Sequence, residues 1–278
     1  MKIATWNVNS IRARQGRLLA WLEKAAPDIL CLQELKVTDE AFPFDALREA
    51  GYHASVLGQK TYNGVAVLSR REPDEVRTGL ENDDVQSRLI RATFGTLHVL
   101  SAYVPNGQAV GSEKYDYKLA WMDRLRDRLG AWFSPDDRVV VCGDLNVARD
   151  DADVANPQEW APSTLCHEAS REAWRKLSDW GLVDLLREKH PQGGVYSWWD
   201  YRDLGFPRND GLRIDYVLAT RPVADKCTAA SVDRDERKKG KGGTPSDHAP
   251  VVAEFEMPDP AISSSLAHRE EDYESHDS

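Results

Sequence analysis

Short apolar runs that stop abruptly on polar residues recur along the chain. Ile3-Ala4-Thr5-Trp6 runs into Asn7-Val8-Asn9, Ile29-Leu30-Cys31-Leu32 into Gln33-Glu34, and Val139-Val140-Val141-Cys142 into Gly143-Asp144-Leu145-Asn146. Such runs, rich in β-branched residues and bounded by turn formers, read as strands buried on both faces. With the backbone extended past Gly143, Asp144 and Asn146 would project to the same side, and Asn7 and Asn9 repeat that spacing. Two hairpins are predicted. One joins Tyr52 to Leu57 with Val65 to Ser69 through Asn63-Gly64; the other joins Arg88 to Phe94 with Leu97 to Tyr103 at Gly95-Thr96. Arg213 to Ala219 and Val251 to Phe255 are further strands. Helical periodicity runs from Ser10, read as an N-cap, to Lys24, with Ile11, Leu18, Leu19 and Leu22 on one stripe. It returns from Ser112 to Phe133, with Leu119, Met122, Leu125 and Leu129 on one face, and from Glu168 to Trp180, closed by Gly181. Few helices inserted among many strands predict two sheets packed face to face and flanked by helices.

Composition sharpens this picture at four points. The 278 residues are 41% hydrophobic with nine Trp and nine Tyr, enough to fill a sizeable core as one domain. No run of eighteen apolar residues suggests a membrane span, and Met1 leads straight into a strand without a signal-peptide pattern. Cys31, Cys142, Cys166 and Cys227 are scattered without a Cys-x-x-Cys pair, as expected of buried thiols in a reducing, cytoplasmic setting. The net charge is −10, and half of it sits in residues 258–278, where six acids face Arg269 alone. That tail is rich in Ser and acid and is expected to be disordered, outside a domain of residues 1–257. An acidic protein can still bind a polyanion where carboxylates gather round a divalent cation and Lys and Arg line the rim.

The polar strand ends form one chemical set: Asn7, Asn9, Glu34, Tyr103, Asp144, Asn146, Asp215, Asp247 and His248. Hard oxygen donors without a cysteine cluster suit Mg²⁺ or Mn²⁺ rather than zinc. Magnesium takes one or two protein carboxylates and leaves room for water and phosphate oxygens, so the remaining groups can orient a water and stabilise a phosphoryl transition state.

Trp6-Asn7-Val8-Asn9, Leu32-Gln33-Glu34-Leu35-Lys36, Asn63-Gly64-Val65-Ala66, Gly143-Asp144-Leu145-Asn146, Gly211-Leu212-Arg213-Ile214-Asp215-Tyr216 and Ser246-Asp247-His248-Ala249-Pro250 closely resemble the motifs of the exonuclease III family of abasic-site endonucleases. The resemblance runs in order from Met1 to about Phe255. It implies a DNase I-like four-layered α/β sandwich of two mainly antiparallel sheets, acting on duplex DNA with abasic sites or blocked 3′ ends, with Mg²⁺ and as a monomer. Carried onto this chain, Glu34 is the principal metal ligand, Asn7 helps hold the metal shell, and Asp247 either supports that shell or serves as an alternative ligand. Asp144 activates or orients the attacking water. Asn146, Tyr103 and Asn106 contact the phosphate, as does His248, oriented by Asp215. Trp198, Leu212 and Ile214 match a pocket for a sugar lacking its base; of Trp198 and Trp199, only the register with the family selects Trp198.

Two other functions compete with this reading. A phosphatase for inositol phosphates or phospholipids would share the metal-site logic, but not the Trp198, Leu212 and Ile214 set. A catalytically silent DNA-binding scaffold would have lost at least one of Glu34, Asp144, Asp215 and His248, and all four are present. Lys36, Arg88 and the Lys238 to Lys241 run are either DNA contacts or a solvated face. His167 departs from the family pattern, just before a helix expected to flank the DNA, where side chains can set the balance between internal abasic sites and 3′ termini.

Overall fold

The computed structural model describes residues 1–80, 85–202, 204–240 and 242–257. Its strands are β1 (Lys2–Asn7), β2 (Ile29–Gln33), β3 (His53–Leu57), β4 (Val65–Ser69), β5 (Glu75–Thr78), β6 (Leu89–Phe94), β7 (Leu97–Tyr103), β8 (Arg138–Asp144), β9 (Leu182–Asp184), β10 (Asp215–Thr220), β11 (Cys227–Val232) and β12 (Val251–Phe255). The principal helices are α1 (Ile11–Ala25), α2 (Phe44–Glu49), α3 (Glu113–Trp132), the single turn α4 (Pro157–Trp160) and α5 (Glu168–Asp179). The strands form two six-stranded sheets, ordered β11-β12-β1-β2-β4-β3 and β5-β6-β7-β8-β10-β9. Each sheet is antiparallel except for one parallel pair at its centre, β1 with β2 and β7 with β8. The tail, residues 258–278, and Lys241 of the basic run lie outside the described residues.

Side-chain alternation separates the layers. On β8, Val140 and Cys142 join Ile3, Cys31, Val67 and Val217 between the sheets. Val139 and Val141 turn outward to meet Trp121, Met122 and Leu125 of α3 and Leu177 of α5. Across the molecule, Ala4 and Trp6 turn outward against Leu18, Trp21 and Leu22 of α1. Four layers result: helices, sheet, sheet, helices. The buried runs therefore lack period-two polarity because both faces of each sheet are covered.

Three details of the reading are corrected. Ser10 does not cap α1 with its side chain; it sits at φ 86°, and its N–H donates to the Glu34 carbonyl at 2.8 Å. The chain does not stay extended to Asn146, because β8 ends at Asp144 and Asn146 is left-handed, at φ 50°. Finally, α2, β5, β9 and β11 escaped sequence reading. β5 is exposed along its whole length and β9 has three residues, so neither carries a usable hydrophobic period.

Candidate active site

The same alternation that fills the core with apolar groups delivers polar ones where the strands run out. Asn7 continues the inward set of Ile3 and Thr5, Asp144 that of Val140 and Cys142, Tyr103 that of Val99 and Ser101, and Asp215 that of Val217 and Ala219. One layer below the site, Thr5 Oγ1 donates to Gln33 Oε1 at 3.1 Å and Gln33 Nε2 donates to Ser101 Oγ at 3.1 Å. This hydrogen-bonded amide and hydroxyl layer separates the apolar core from the charged groups above it.

Both halves use the same turn to end their central strands. Asn9 N–H donates to Asn7 Oδ1 at 3.0 Å, and Asn146 N–H donates to Asp144 Oδ1 at 2.9 Å. The second residue of each is left-handed, at φ 43° for Asn9 and 50° for Asn146, which Asn tolerates better than most residues. At Gly143, φ is 149° and a Cβ would lie 1.8 Å from the Ala102 carbonyl oxygen. The missing side chain lets β8 approach β7 beside Asp144.

Across the gap between sheets, Asn7 Nδ2 donates to Glu34 Oε1 at 2.8 Å and to Asp144 Oδ2 at 2.9 Å. Asn7 thus aims its nitrogen at both carboxylates and fixes their positions. Glu34 follows β2 in a left-handed conformation, φ 53°. Its other oxygen meets Lys36 Nζ at 2.8 Å, and Lys36 also donates to Asn9 Oδ1 at 2.5 Å. Glu34, Asp144 and His248 bring one ligand atom each within 4.8 Å of one another. Asp247 lies outside this cluster: Asn9 Nδ2 donates to its Oδ1 at 2.8 Å and Trp198 Nε1 to its Oδ2 at 3.0 Å. Asp247 thereby holds the Asn9 amide and the Trp198 indole in place beside the cluster. Two carboxylates bridged by one amide donor, Glu34 partly exposed and Asp144 buried, are a donor set that fits a hard divalent cation.

His248 is buried, with Nδ1 at 2.9 Å from Asp215 Oδ2 and Nε2 at 3.8 Å from Asp144 Oδ2. Burial disfavours its cation, but Asp215 and then Asp144 outweigh that and raise the imidazole to about 10. A charged ring donates from both nitrogens, so Nε2–H is available to an anion. Asp215 is held in turn by Ser197, whose Oγ donates to Oδ2 at 2.6 Å and accepts the Ile214 and Asp215 N–H groups at 3.1 Å. The aromatic segment around Ser197 is laced by backbone bonds to Leu212 on one side and to Asp247 and Ala249 on the other. It therefore clamps the starts of β10 and β12 together, a role no local pattern announced. Trp199 is core, set edge-on to Phe206 at 5.3 Å.

Tyr103 is largely buried, and burial, with Glu34 and Asp144 nearby, holds its phenol well above its ordinary range and so protonated. Asn146 Nδ2 donates to the Val104 carbonyl at 2.9 Å, and Asn106 Nδ2 donates to Asn146 Oδ1 at 3.1 Å. The loop after β7 is thereby tied to the loop after β8. Arg88 lies 4.8 Å over the Tyr103 ring. A cavity of about 660 Å³ opens beside these groups, lined by Tyr62, Gln86, Arg88, Tyr103, Asn106 and Lys114 among others. In the basic loop, Arg237 is buried and donates to the Trp199 carbonyl at 3.1 Å, whereas Lys238 and Lys239 are exposed.

The pocket walls are brought together but are not open. Leu212 is fully buried and Ile214 nearly so, in a cluster with Ala148, Val154, Leu165 and Cys166. Trp160 of α4 covers them, edge-on to Trp198 at 5.5 Å. Arg213, between the two walls, is buried against Asp153 at 2.7 Å and Asp184 at 2.8 Å. Sequence reading missed Trp160, Ser197 and Lys118. Only Lys118 left a trace, as a charge on the buried stripe of α3 with Tyr115, Met122, Leu125 and Leu129. His167 caps α5: its Nδ1 accepts from Ala169 N–H at 3.3 Å and lies 2.9 Å from the Tyr115 hydroxyl.

Asp144 carries the first prediction. Burial, then Asp215 and Glu34, outweigh the favourable His248 and Asn7 and push its carboxyl from the ordinary 3.8 up to about 7. A cation bound there must displace that proton, so affinity should rise with pH and level off above about 7, at most tenfold per pH unit for one proton. Calorimetric Mg²⁺ titrations at pH 5.5, 6.5 and 7.5 should give progressively tighter binding with proton release. A dissociation constant independent of pH would remove Asp144 from the cation's surroundings. The linkage to folding has the opposite sense. Between about 4 and 7 the folded chain holds a proton on Asp144 that the unfolded chain has lost, and stability falls as pH rises. The contribution of His248 is complete below 6.5 and is lost as pH rises through about 10. The metal-free protein should therefore melt at a higher temperature at pH 6 than at pH 9.

No helix among the described residues is long and apolar enough to cross a membrane. Residues 4–248 match the model of the endonuclease/exonuclease/phosphatase family. Exodeoxyribonuclease III of Haemophilus influenzae is 38% identical over 269 residues, covering 92% of this chain and all of that protein. Among solved structures, an AP endonuclease from Archaeoglobus fulgidus superposes with a TM-score of 0.89 at 42% identity, covering 92% of this chain and all of its own. A 3′ phosphatase from Neisseria, solved with a product DNA hairpin, superposes with a TM-score of 0.87 at 41% identity and the same coverage. With its paired sheets ending in this cluster of carboxylates, amides and histidine, the chain belongs to the endonuclease/exonuclease/phosphatase family and, within it, to the exodeoxyribonuclease III group.

Proposed function

We propose that this protein is a DNA repair nuclease that hydrolyses the phosphodiester bond 5′ to abasic sites in duplex DNA and trims blocked 3′ ends, with Mg²⁺ as its ion and Mn²⁺ able to substitute. The observation that carries the reading is the continuous chain Glu34–Asn7–Asp144, facing the His248–Asp215 pair across 3.8 Å. Glu34 and Asp144 would hold the cation, which when bound draws charge from the phosphate oxygens. Asp144, unprotonated at working pH, orients the attacking water and takes its proton. His248 Nε2–H, Tyr103 and the amides of Asn146 and Asn106 donate to the phosphate as charge builds on it. Asp215 keeps Nδ1 protonated and the ring in place. We assign these roles to one catalytic domain, residues 1–257, acting as a monomer within the reducing interior of the cell. The described cysteines, all free and buried, support that setting.

The 3′-end activity has support of its own. Trp160 packs against Trp198 over the buried Leu212 and Ile214, so an extruded sugar must displace an indole to enter. Two oligonucleotide duplexes test both arms, one with a tetrahydrofuran abasic analogue and one with a 3′-phosphate, each with Mg²⁺ and with EDTA. Cleavage of neither substrate would defeat the proposal.

The pocket yields a further prediction. Leu212→Ala removes three heavy atoms from its wall, at a folding cost of about 2–5 kcal/mol. Extruding a nucleotide costs a few kcal/mol, least where the base is already missing, and a tight pocket adds steric rejection of any base. Leu212→Ala and Trp198→Ala should therefore raise incision at intact nucleotides relative to abasic ones, compared at matched folded fraction. An unaltered ratio in both variants means that selectivity lies elsewhere.

A further inference from the structure

We infer that Lys118 is a positioning residue for the phosphate-binding amides, its ammonium pinning the backbone of both Asn106 and Asn146. Nζ donates to the Asn146 carbonyl at 2.6 Å, the Thr164 carbonyl at 2.8 Å and the Asn106 carbonyl at 3.3 Å. One atom thus ties the loop after β7, the loop after β8 and the loop before α5. All three of its donors are used. The side chain has no exposed surface.

The surroundings are built for it. Gly107 is left-handed, φ 89°, and a Cβ there would lie 3.1 Å from Lys118 Cδ and 3.1 Å from Tyr115 Cδ2. A side chain at 107 would crowd the lysine stem. The Thr164 carbonyl also accepts from Ser170 Oγ at 2.7 Å, and the Tyr115 hydroxyl lies 2.9 Å from that same Oγ. The third loop is therefore anchored independently, and Lys118 braces the other two against it. On the buried stripe of α3, an apolar residue would avoid the desolvation that an ammonium incurs. Burial lowers the group from its ordinary value to about 7 despite Asp144 nearby. That penalty is repaid by function: a cation behind two phosphate-binding amides both fixes them and favours an incoming anion. Asn106 Nδ2 already reaches Asn146 Oδ1, so a shift in either backbone displaces both carboxamides. A misplacement of about 1 Å can lower a rate by about 100-fold.

This inference rests on the proposed roles of Asn106 and Asn146, and the test separates the two. Lys118→Met keeps the stem and removes charge and donors; Lys118→Gln keeps two N–H donors and removes the charge. Each is compared with the wild type on the 3′-phosphate duplex, at a temperature where circular dichroism shows both folded. Lys118→Met should lower kcat by about 10- to 100-fold with KM within about threefold, and Lys118→Gln by less. Combined with Asn146→Ala, the loss should be less than multiplicative, because Lys118 acts through that residue. A purely structural role would lower Tm but leave kcat of the folded variant near wild type and the double mutant multiplicative; either result overturns the inference. If Lys118→Met does not fold, Lys118→Gln decides by the same criteria. Should the wild type cleave neither substrate, the functional reading fails, and inorganic phosphate titrated against the side-chain amide resonances still tests Lys118. Phosphate should bind about tenfold more weakly to Lys118→Gln than to wild type, and equal binding rejects the role.

Discussion

Glu34→Gln is expected to lower cleavage of the abasic and 3′-phosphate duplexes by at least about 100-fold in Mg²⁺. The substitution keeps the volume at a partly exposed position, so Tm should change little. What it removes is one of the two carboxylates that Asn7 Nδ2 bridges. Changes to groups that merely support a metal ligand weaken affinity by about 10–100-fold, and loss of a ligand itself should exceed that. The variant also leaves the Lys36 ammonium, now 2.8 Å from Glu34 Oε2, without its counter-charge beside the cation. Mn²⁺ binds oxygen and nitrogen sites more tightly than Mg²⁺ and should restore part of the rate. Calorimetry separates the causes: the Mg²⁺ dissociation constant should rise in parallel with the loss of rate. A variant with normal Mg²⁺ binding and normal turnover would show that Glu34 does not hold the ion.

The second large effect concerns the carboxylates on the other sheet. Asp144 and Asp215 are cross-strand partners on β8 and β10, one facing each nitrogen of the His248 ring. Asp215→Asn replaces the acceptor of Nδ1–H with an amide that can offer N–H there. That favours the wrong tautomer and removes the charge sustaining the imidazolium. Asp144→Asn removes the group that handles the water. A positioned acid or base contributes about 10²–10⁴-fold, and each variant should lose at least that much. The double variant should be far less impaired than the product of the singles, because each already disables one unit. Strictly multiplicative losses would mean that the two carboxylates act independently. Burial and like charge push the Asp144 carboxyl up, but both its oxygens accept N–H groups, from Asn7 and from Asn146. Asp144→Asn sets an NH2 against one of those donors, so the collapsed rate should come with a lowered Tm.

The family motifs were legible because the chemistry sits at the ends of strongly apolar strands. Glu34, Asp144 and Asp215 each lie within two residues of a buried apolar run and His248 three residues before one, and a run of that kind is the clearest local signal a strand gives. The hairpin at Gly95-Thr96 was equally plain, and Phe94 pairs with Leu97 across it. Less was visible where an element has no apolar face, as in the wholly exposed β5. Roles that depend on which atom of a side chain faces its neighbour were also hidden. The sequence placed Asn7 and Asp247 beside the metal, but not that Asn7 offers its Nδ2 to both carboxylates or that Asp247 accepts from Asn9 and Trp198.

The sequence by itself determined the strand-rich core, the helices over residues 11–25, 113–132 and 168–179, and the residue types available for catalysis. These follow from local periodicity, which depends only on neighbours in the chain. Tertiary structure decided which of those residues meet. Asn7 reaches Asp144 across 137 positions because two sheets stack with their inward faces in phase. Ser197 holds Asp215, and Lys118 braces Asn106 and Asn146, through loops with no period to read. The fit of Trp160 over Leu212 and Ile214 depends on how a single helical turn packs against a distant strand start. Close packing in three dimensions settles such contacts, and the order of residues along one dimension does not.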